Sequence, residues 1–324
     1  MQQRFLGHTG LKVSRFALGT TSWGQDTDEY EARDQLATFV DAGGTLLDTA
    51  ASYGQGRSEE LIGELLRDAV DRDDVLVATK AGFGPPDKRG GWQHDTSRGV
   101  MLRTLDASLD RLGVDHVDLW QVHMWVDEVP LEETLAALDT AVSSGRARYA
   151  GVSNFSGWQT ARAVTWQQAW PGRTPLASTQ VEYSLLNRGV EREVLPAASA
   201  LGLGVLAWSP LGRGVLTGKY RTGTPADSRA ASPHLRAFVE PYLDTRSGQV
   251  VEAVCKAADG LGLAPLEVAL AWLRDRPGVT APVLGARTAA QLRGALSAEE
   301  VTLPRAILEA LDDVSQIDLG YPER

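Results

Sequence analysis

"LLDTAASYGQGRSEELIGELL" runs from Leu46 to Leu66. It opens as a short apolar run and reaches a carboxylate at Asp48. It then turns through a loop holding Tyr53, Gly54 and Gly56, and continues as a helical pattern that opens on Ser58. Strand, loop and helix in that order make half of a βαβ unit. The carboxylate and the phenol fall at the end of the strand.

The same alternation recurs on both sides. Strand patterns fall at "RFALGT" (15–20), "TLLDTA" (45–50), "VLVATK" (75–80), "VDLWQVH" (117–123), "ARYAGVS" (147–153), "STQVEY" (178–183), "GVLAWSP" (204–210) and "APVLGA" (281–286). They are continuous apolar runs rather than alternating ones, as strands buried on both faces require. Helical patterns with ordinary start and stop signals lie between them. "TSRGVMLRTLDASLDRLG" has a capping Ser or Thr and stops at Gly113, and "PLEETLAALDTAVSSG" begins at Pro130 and ends at Gly145. Eight such units predict an α/β fold of the (β/α)8 TIM-barrel type. A doubly wound sheet would carry a phosphate-binding glycine turn after its first strand, whereas here the chain reads "TTSWGQ".

Three pieces fall outside the eightfold pattern. "RFLGHTGLKVS" (4–14) reads as an N-terminal β-hairpin that plugs the barrel. Residues 211–244 are a Gly/Pro/Ser-rich stretch read as a lid. After Thr288 come extra C-terminal helices, ending with "LPRAILEALDDVSQ". No boundary signal divides residues 1–324, so the expectation is a single domain.

Composition narrows the function. A net charge of −10 argues against a nucleic-acid surface. The single cysteine, Cys255, sits in a helical pattern and reads as packing; one cysteine fits a reducing compartment. The opening residues do not read as a signal peptide, and no apolar run is long enough to span a bilayer. The expectation is a cytoplasmic protein with no membrane or nucleic-acid partner. Its oligomeric state is not legible. The five histidines are scattered without metal-ligand spacing, so no metal is expected.

Active sites of such barrels lie at the C-terminal ends of the strands. Four residues there make a chemical unit: Asp48, Tyr53, Lys80 and His123. Converting a carbonyl to an alcohol needs a hydride at carbon and a proton at oxygen. Tyrosine is a poor acid near neutrality, but an ammonium favours its phenolate. At ~4 Å and an effective dielectric of ~20 the attraction is about 4 kcal/mol. That corresponds to roughly three pKa units before any offset. Lys80 supplies the ammonium, Asp48 holds it charged, and His123 orients the substrate oxygen.

These four residues and their context resemble the aldo-keto reductases. The resemblance is carried in order by "LLDTAASYGQGRSEELIGELL", "VLVATKAG", "DLWQVH", "GVSNF", "QVEYSLLNR", "WSPLGRGVLTGKY" and "VLGARTAAQL", and covers nearly the whole barrel. It implies a barrel and an NAD(P)H-dependent carbonyl reductase. By the same similarity Ser153, Asn154 and Gln180 hold the nicotinamide carboxamide, and Trp208 stacks on its ring. Ser209, Leu211 and Arg213 meet the pyrophosphate, and Thr20 also belongs to the cofactor set. Gly285 and Arg287 precede a short helix, where a barrel binds phosphate. An arginine fork at Arg287 suits a 2′-phosphate, which favours NADPH over NADH. Where many members have an acid and an amide to hold adenine, this chain has Gly294 and Ala295. The adenine contact then falls to Gln291 and Arg287.

Trp23, Phe83, Trp92 and Trp125 follow the first, third and fourth strands and are expected to ring the mouth as an aromatic substrate pocket. The partner is a small-molecule carbonyl. A second reading is a cofactor-bound, redox-sensing regulatory partner resembling the potassium-channel β-subunits, with weak turnover.

Overall fold

The structure, a computed structural model, describes residues 1–324 apart from 87–91, 227, 232–235, 318–319 and 322–324. The chain opens with β1 (Gln3–Phe5) and β2 (Lys12–Ser14), then β3 (Ala17–Gly19), α1 (Glu29–Asp41), β4 (Leu46–Asp48) and α2 (Arg57–Asp68). Next come β5 (Leu76–Ala81), β6 (Phe83–Pro86), β7 (Trp92–His94), α3 (Arg98–Leu112), β8 (Val117–Val122) and α4 (Leu131–Ser143). Then follow β9 (Ala147–Ser153), α5 (Gly157–Gln168), β10 (Leu176–Glu182), α6 (Val194–Leu201), β11 (Gly204–Trp208) and α7 (Arg236–Val239). The chain ends with α8 (Thr245–Leu261), α9 (Pro265–Arg274), β12 (Val279–Gly285), α10 (Ala289–Leu296) and α11 (Arg305–Val314).

Eight of the strands close into a parallel barrel in the order β3-β4-β5-β8-β9-β10-β11-β12. These are the eight strand patterns of the sequence, with ends moved by a few residues. The register puts Asp48 beside Gly19 and Ala78, Lys80 beside Gln121, and Gln180 beside Ser153, all toward one rim.

At the opposite end β1 and β2 pair as an antiparallel ribbon. Leu6 and Val13 are fully buried and pack on Ala17, Leu46, Ala78, Leu119, Leu206 and Ala281. The hairpin therefore plugs the barrel as its apolar runs predict. Gly7 lies at φ +59°, where an added Cβ would stand 2.4 Å from the Gly202 carbonyl, so only glycine fits that approach.

Three local expectations change. Ser58 does not cap a helix: α2 begins at Arg57 after a left-handed Gly56, and Ser58 is buried inside the first turn. The described residues of 211–244, the stretch expected as a lid, carry secondary structure that its composition does not announce. They form short 3-10 turns and α7, and their Val215, Leu216, Ala230 and Val239 pack on Val250, Val254 and Trp272. The β6–β7 ribbon after β5 was not anticipated, because Pro85 and Pro86 argue against a strand. The helices after Thr288, α10 and α11, are where the sequence puts them.

Candidate active site

The loop after β4 carries Tyr53. Gly54, Gln55 and Gly56 follow it at φ +56°, +56° and +98°. Three successive left-handed residues reverse the chain sharply, and two of them are the glycines that this conformation favours.

Lys80 enters from β5 and is 1% exposed. Its Nζ donates to Asp48 Oδ2 and to the Thr49 carbonyl, each at 2.8 Å, and lies 5.2 Å from the centre of the Tyr53 ring. The other Asp48 oxygen, Oδ1, accepts from Gln180 Nε2 at 2.8 Å. Both carboxylate oxygens and two of the three ammonium protons are thus used, which a buried charge pair needs. Burial alone would push the Lys80 ammonium toward neutrality. The charges of Asp48 and Tyr53, with their hydrogen bonds, outweigh it and hold Lys80 above its ordinary range.

His123 follows β8, tied by its N–H to the Ala81 carbonyl at 2.8 Å. Its ring meets Tyr53 edge-on at 5.9 Å between centroids and Phe83 at 5.3 Å. Among the described residues its Nδ1 is buried without a hydrogen-bond partner. Burial first, then the charges of Lys80 and His94, push its pKa down to about 3. The imidazole is therefore neutral at ordinary pH, a hydrogen-bonding group rather than a cation.

That shift has a stability consequence. The unfolded imidazole titrates near ~6.5, so on acidification the unfolded chain takes up this proton first. His123 contributes nothing to pH dependence above that value and removes stability as pH falls from it toward the folded pKa. Between pH 7.5 and pH 5 the loss from this one group should be about 1–2 kcal/mol, discounted because the ring is partly exposed. His123→Gln should lose that much less in urea unfolding over the same range. Equal pH dependence in the two proteins would refute the assignment, as would an NMR midpoint of the His123 ring near 6.

The cofactor residues expected from the sequence gather around the same rim. Ser153 Oγ donates to the Gln180 carbonyl at 2.9 Å. Asn154 lies at φ +56°, a conformation asparagine tolerates. Its Nδ2 donates to the His123 carbonyl, and its Oδ1 accepts from Trp208 Nε1, both at 3.0 Å. Ser209 is also left-handed, at φ +52°. Leu211 packs against the apolar core.

Two members of the set are used within the protein. The Thr20 hydroxyl is fully buried and donates to the Asp48 carbonyl at 3.1 Å. The Arg213 guanidinium donates twice to Glu182, at 3.0 and 2.8 Å, and once to the Phe238 carbonyl, lying 3.7 Å above the Phe238 ring. The fork of Arg213 is therefore taken, and Arg213 lies at φ +59° between the left-handed Gly212 and Gly214.

At the end of β12, Gly285 is exposed and an added Cβ would stand 3.9 Å from Arg229 Nη2. Burial, then the like charge of Arg287, holds the Arg229 guanidinium below its ordinary range, with Tyr220 and Asp26 opposing. Beside it Ser228 Oγ is buried and, among the described residues, has no hydrogen-bond partner. Arg229 and Ser228 lie in 211–244, where no periodicity singles them out. Thr288 caps α10, and Gln291 Oε1 accepts from the Arg287 amide at 3.0 Å. Nothing lies within 4 Å of a Cβ added at Gly294, while Ala295 is buried.

The aromatic wall differs from expectation. Phe83 stands between His94 and His123. Trp125 meets Phe155 and Trp158 edge-on at 5.2 and 5.3 Å, and its Nε1 donates to Asp127 Oδ1. Trp158, 56% exposed at the start of α5, is an aromatic at this rim that the sequence reading missed. Trp23 is a correction: it is 0% exposed and its Nε1 donates to Gln35 Oε1, so it belongs to the core behind the rim. The side chain of Trp92 lies outside the described residues.

Among the described residues no cluster could hold a metal, and no helix is long and apolar enough to cross a membrane. The rim offers a phenol on a charged ammonium, a neutral imidazole and an aromatic wall, a set suited to protonating a polarised oxygen.

A family model described as the aldo/keto reductase family matches residues 15–316. An uncharacterized oxidoreductase of Bacillus subtilis, YrpG, is 39% identical, covering 97% of this chain and 96% of that protein. A probable voltage-gated potassium channel subunit beta of Oryza sativa is 35% identical over 100% and 98%. The L-glyceraldehyde 3-phosphate reductase of Escherichia coli K12 is 34% identical over 98% and 92%.

Proposed function

The chain belongs to the aldo/keto reductase family and is an oxidoreductase, and from that premise we propose that it reduces aldehydes or ketones to alcohols using NADPH, with Tyr53 as the proton donor. The observation that carries the reading is the Lys80 ammonium, buried, held by Asp48 and the Thr49 carbonyl, and 5.2 Å from the centre of the Tyr53 ring.

The cofactor, when bound, supplies the hydride. The residues do the rest. His123, neutral, donates a hydrogen bond to the carbonyl oxygen and orients it. The Tyr53 hydroxyl gives its proton to that oxygen as the alcohol forms, and the Lys80 ammonium stabilises the phenolate left behind until water reprotonates it. Gln180 has its amide nitrogen on Asp48, which leaves its oxygen for the nicotinamide carboxamide beside Ser153 and Asn154. Trp208, fixed by Asn154, offers a ring face to the nicotinamide. Phe83, Trp125 and Trp158 are the aromatic side of the substrate pocket.

The preference for NADPH over NADH is supported by the crowding of Arg229 and Arg287 near Gly285, with the Ser228 hydroxyl beside them. Like charges packed at a helix start fit an anion such as a 2′-phosphate. Arg229→Ala and Arg287→Ala should each weaken NADPH binding roughly 10- to 100-fold, the worth of a charge-assisted hydrogen bond, and leave NADH within a few-fold. Fluorescence titration of both cofactors measures this; equal losses for the two would remove the 2′-phosphate role.

Carbonyl-dependent NADPH oxidation against aromatic, aliphatic, sugar-phosphate and quinone carbonyls tests the activity. A second reading is favoured by the relatives named as potassium channel β-subunits: a cofactor-bound regulatory partner with weak turnover. NADPH binding without turnover of any of these carbonyls would move the reading there. The rest of the proposal is a cytoplasmic protein whose partner is a small molecule.

A further inference from the structure

The loop that carries Tyr53 leaves the barrel after Thr49 and returns at Ser58. Its base is closed by hydroxyls. Ser58 Oγ lies 2.9 Å from Thr49 Oγ1, 2.8 Å from Thr20 Oγ1 and 3.0 Å from the Thr20 carbonyl. Thr20 Oγ1 lies 3.1 Å from the Asp48 carbonyl. Thr20, Thr49 and Ser58 are all fully buried.

Each hydroxyl has one proton, so the direction of the chain can be worked out. The Thr20 hydroxyl donates to the Asp48 carbonyl and the Ser58 hydroxyl donates to Thr20. The Ser58 proton reaches the Thr20 hydroxyl or the Thr20 carbonyl. Either way the Ser58 proton is spent on Thr20, and Thr49 donates to Ser58. The result is a one-way run, Thr49 to Ser58 to Thr20 to the Asp48 carbonyl, with no proton left over. It begins and ends on neighbouring residues of the same strand end and crosses the loop base through Ser58.

Both ends of this run touch the catalytic groups. Asp48 holds Lys80 by its carboxylate, and the Thr49 carbonyl is the second acceptor of Lys80 Nζ. The first turn of α2 is anchored separately: Glu59, next to Ser58, accepts from Thr79 Oγ1 and from Arg111. Losing the Ser58 hydroxyl therefore leaves the helix in place and frees only the loop base.

We propose that Ser58, with Thr20 and Thr49, is a positioning residue: a hydroxyl clip that fixes the Tyr53 loop to the strand end holding Lys80, and so sets the placement of the phenol for proton donation. The proposal rests on the reductase reading for its kinetic part. It gives Thr20 a role in the clip in place of cofactor contact.

The test compares wild type with Ser58→Ala, Thr49→Val and the double variant. Ser58→Ala should lower kcat roughly 10- to 100-fold, the scale of a small misplacement of a reacting group, with carbonyl KM and cofactor Kd within about twofold, the interval of a bystander contact. In the protein without cofactor, the amides of Ala51, Tyr53 and Gln55 should exchange faster while those of β5 keep their protection. Thr49→Val, nearly isosteric, should move the same way by less, and the double variant should equal Ser58→Ala, because all three open one clip. Unchanged kcat and unchanged loop exchange, with only a lower Tm, would overturn the proposal and make Ser58 a packing residue. If wild type turns over no carbonyl, the reductase reading fails, and loop exchange alone still decides for or against the clip.

Discussion

Lys80→Met should abolish carbonyl reduction and destabilise the fold by about 3–5 kcal/mol, the usual cost of removing one partner from a buried ion pair. The side chain is 1% exposed and Asp48 is 2% exposed. Without the ammonium, the Asp48 carboxylate keeps only the Gln180 amide, and a buried charge is left uncompensated. The activity loss has a separate cause. The attraction of an ammonium for a phenolate at ~4 Å is about 4 kcal/mol at an effective dielectric of ~20, which is roughly a thousandfold in rate. Adding Asp48→Asn separates the two effects. The double variant Asp48→Asn/Lys80→Met removes both charges and should regain most of the stability, as neutral replacements of buried pairs do, yet stay inactive. Urea unfolding and a carbonyl assay on the three variants measure this. A stable and active Lys80→Met protein would contradict both arguments.

Tyr53→Phe should have the next largest effect, and a cleaner one. Only the hydroxyl is lost. The ring keeps its edge-on contact with His123, and Lys80 keeps Asp48 and the Thr49 carbonyl. Unfolding midpoint and NADPH affinity should therefore stay close to wild type. Reduction should fall by roughly 10²–10⁴, the contribution of a positioned proton donor. Steady-state rates with any carbonyl that the wild type accepts give the measurement. Turnover at the wild-type rate would remove Tyr53 from the proton-donating role and leave water or His123 in its place.

Much of this architecture was legible because barrel strands are buried on both faces and stand out as continuous apolar runs. Polar residues at the ends of such runs are anomalous, and Asp48, Lys80 and His123 were found that way. What was not legible depends on partners distant in sequence. Trp23 follows a strand end like the other aromatics, but its N–H finds Gln35 on α1 and turns the ring inward. The Arg213 fork is taken by Glu182, 31 residues earlier, and no local pattern announces that pairing. Ser58 stands where a helix cap is expected, yet Gly56 turns the chain so that the hydroxyl points into the loop base. Arg229 lies in a stretch whose Gly/Pro/Ser content reads as loop and whose fold depends on apolar residues spaced through it.

The hairpin of β1 and β2 has a consequence for traffic. Leu6 and Val13 stop up the far end of the barrel, so the rim around Lys80 is a bowl with one doorway. A ribbon of six paired residues, at the opposite end from Lys80, thereby leaves the rim as the side from which that ammonium is approached.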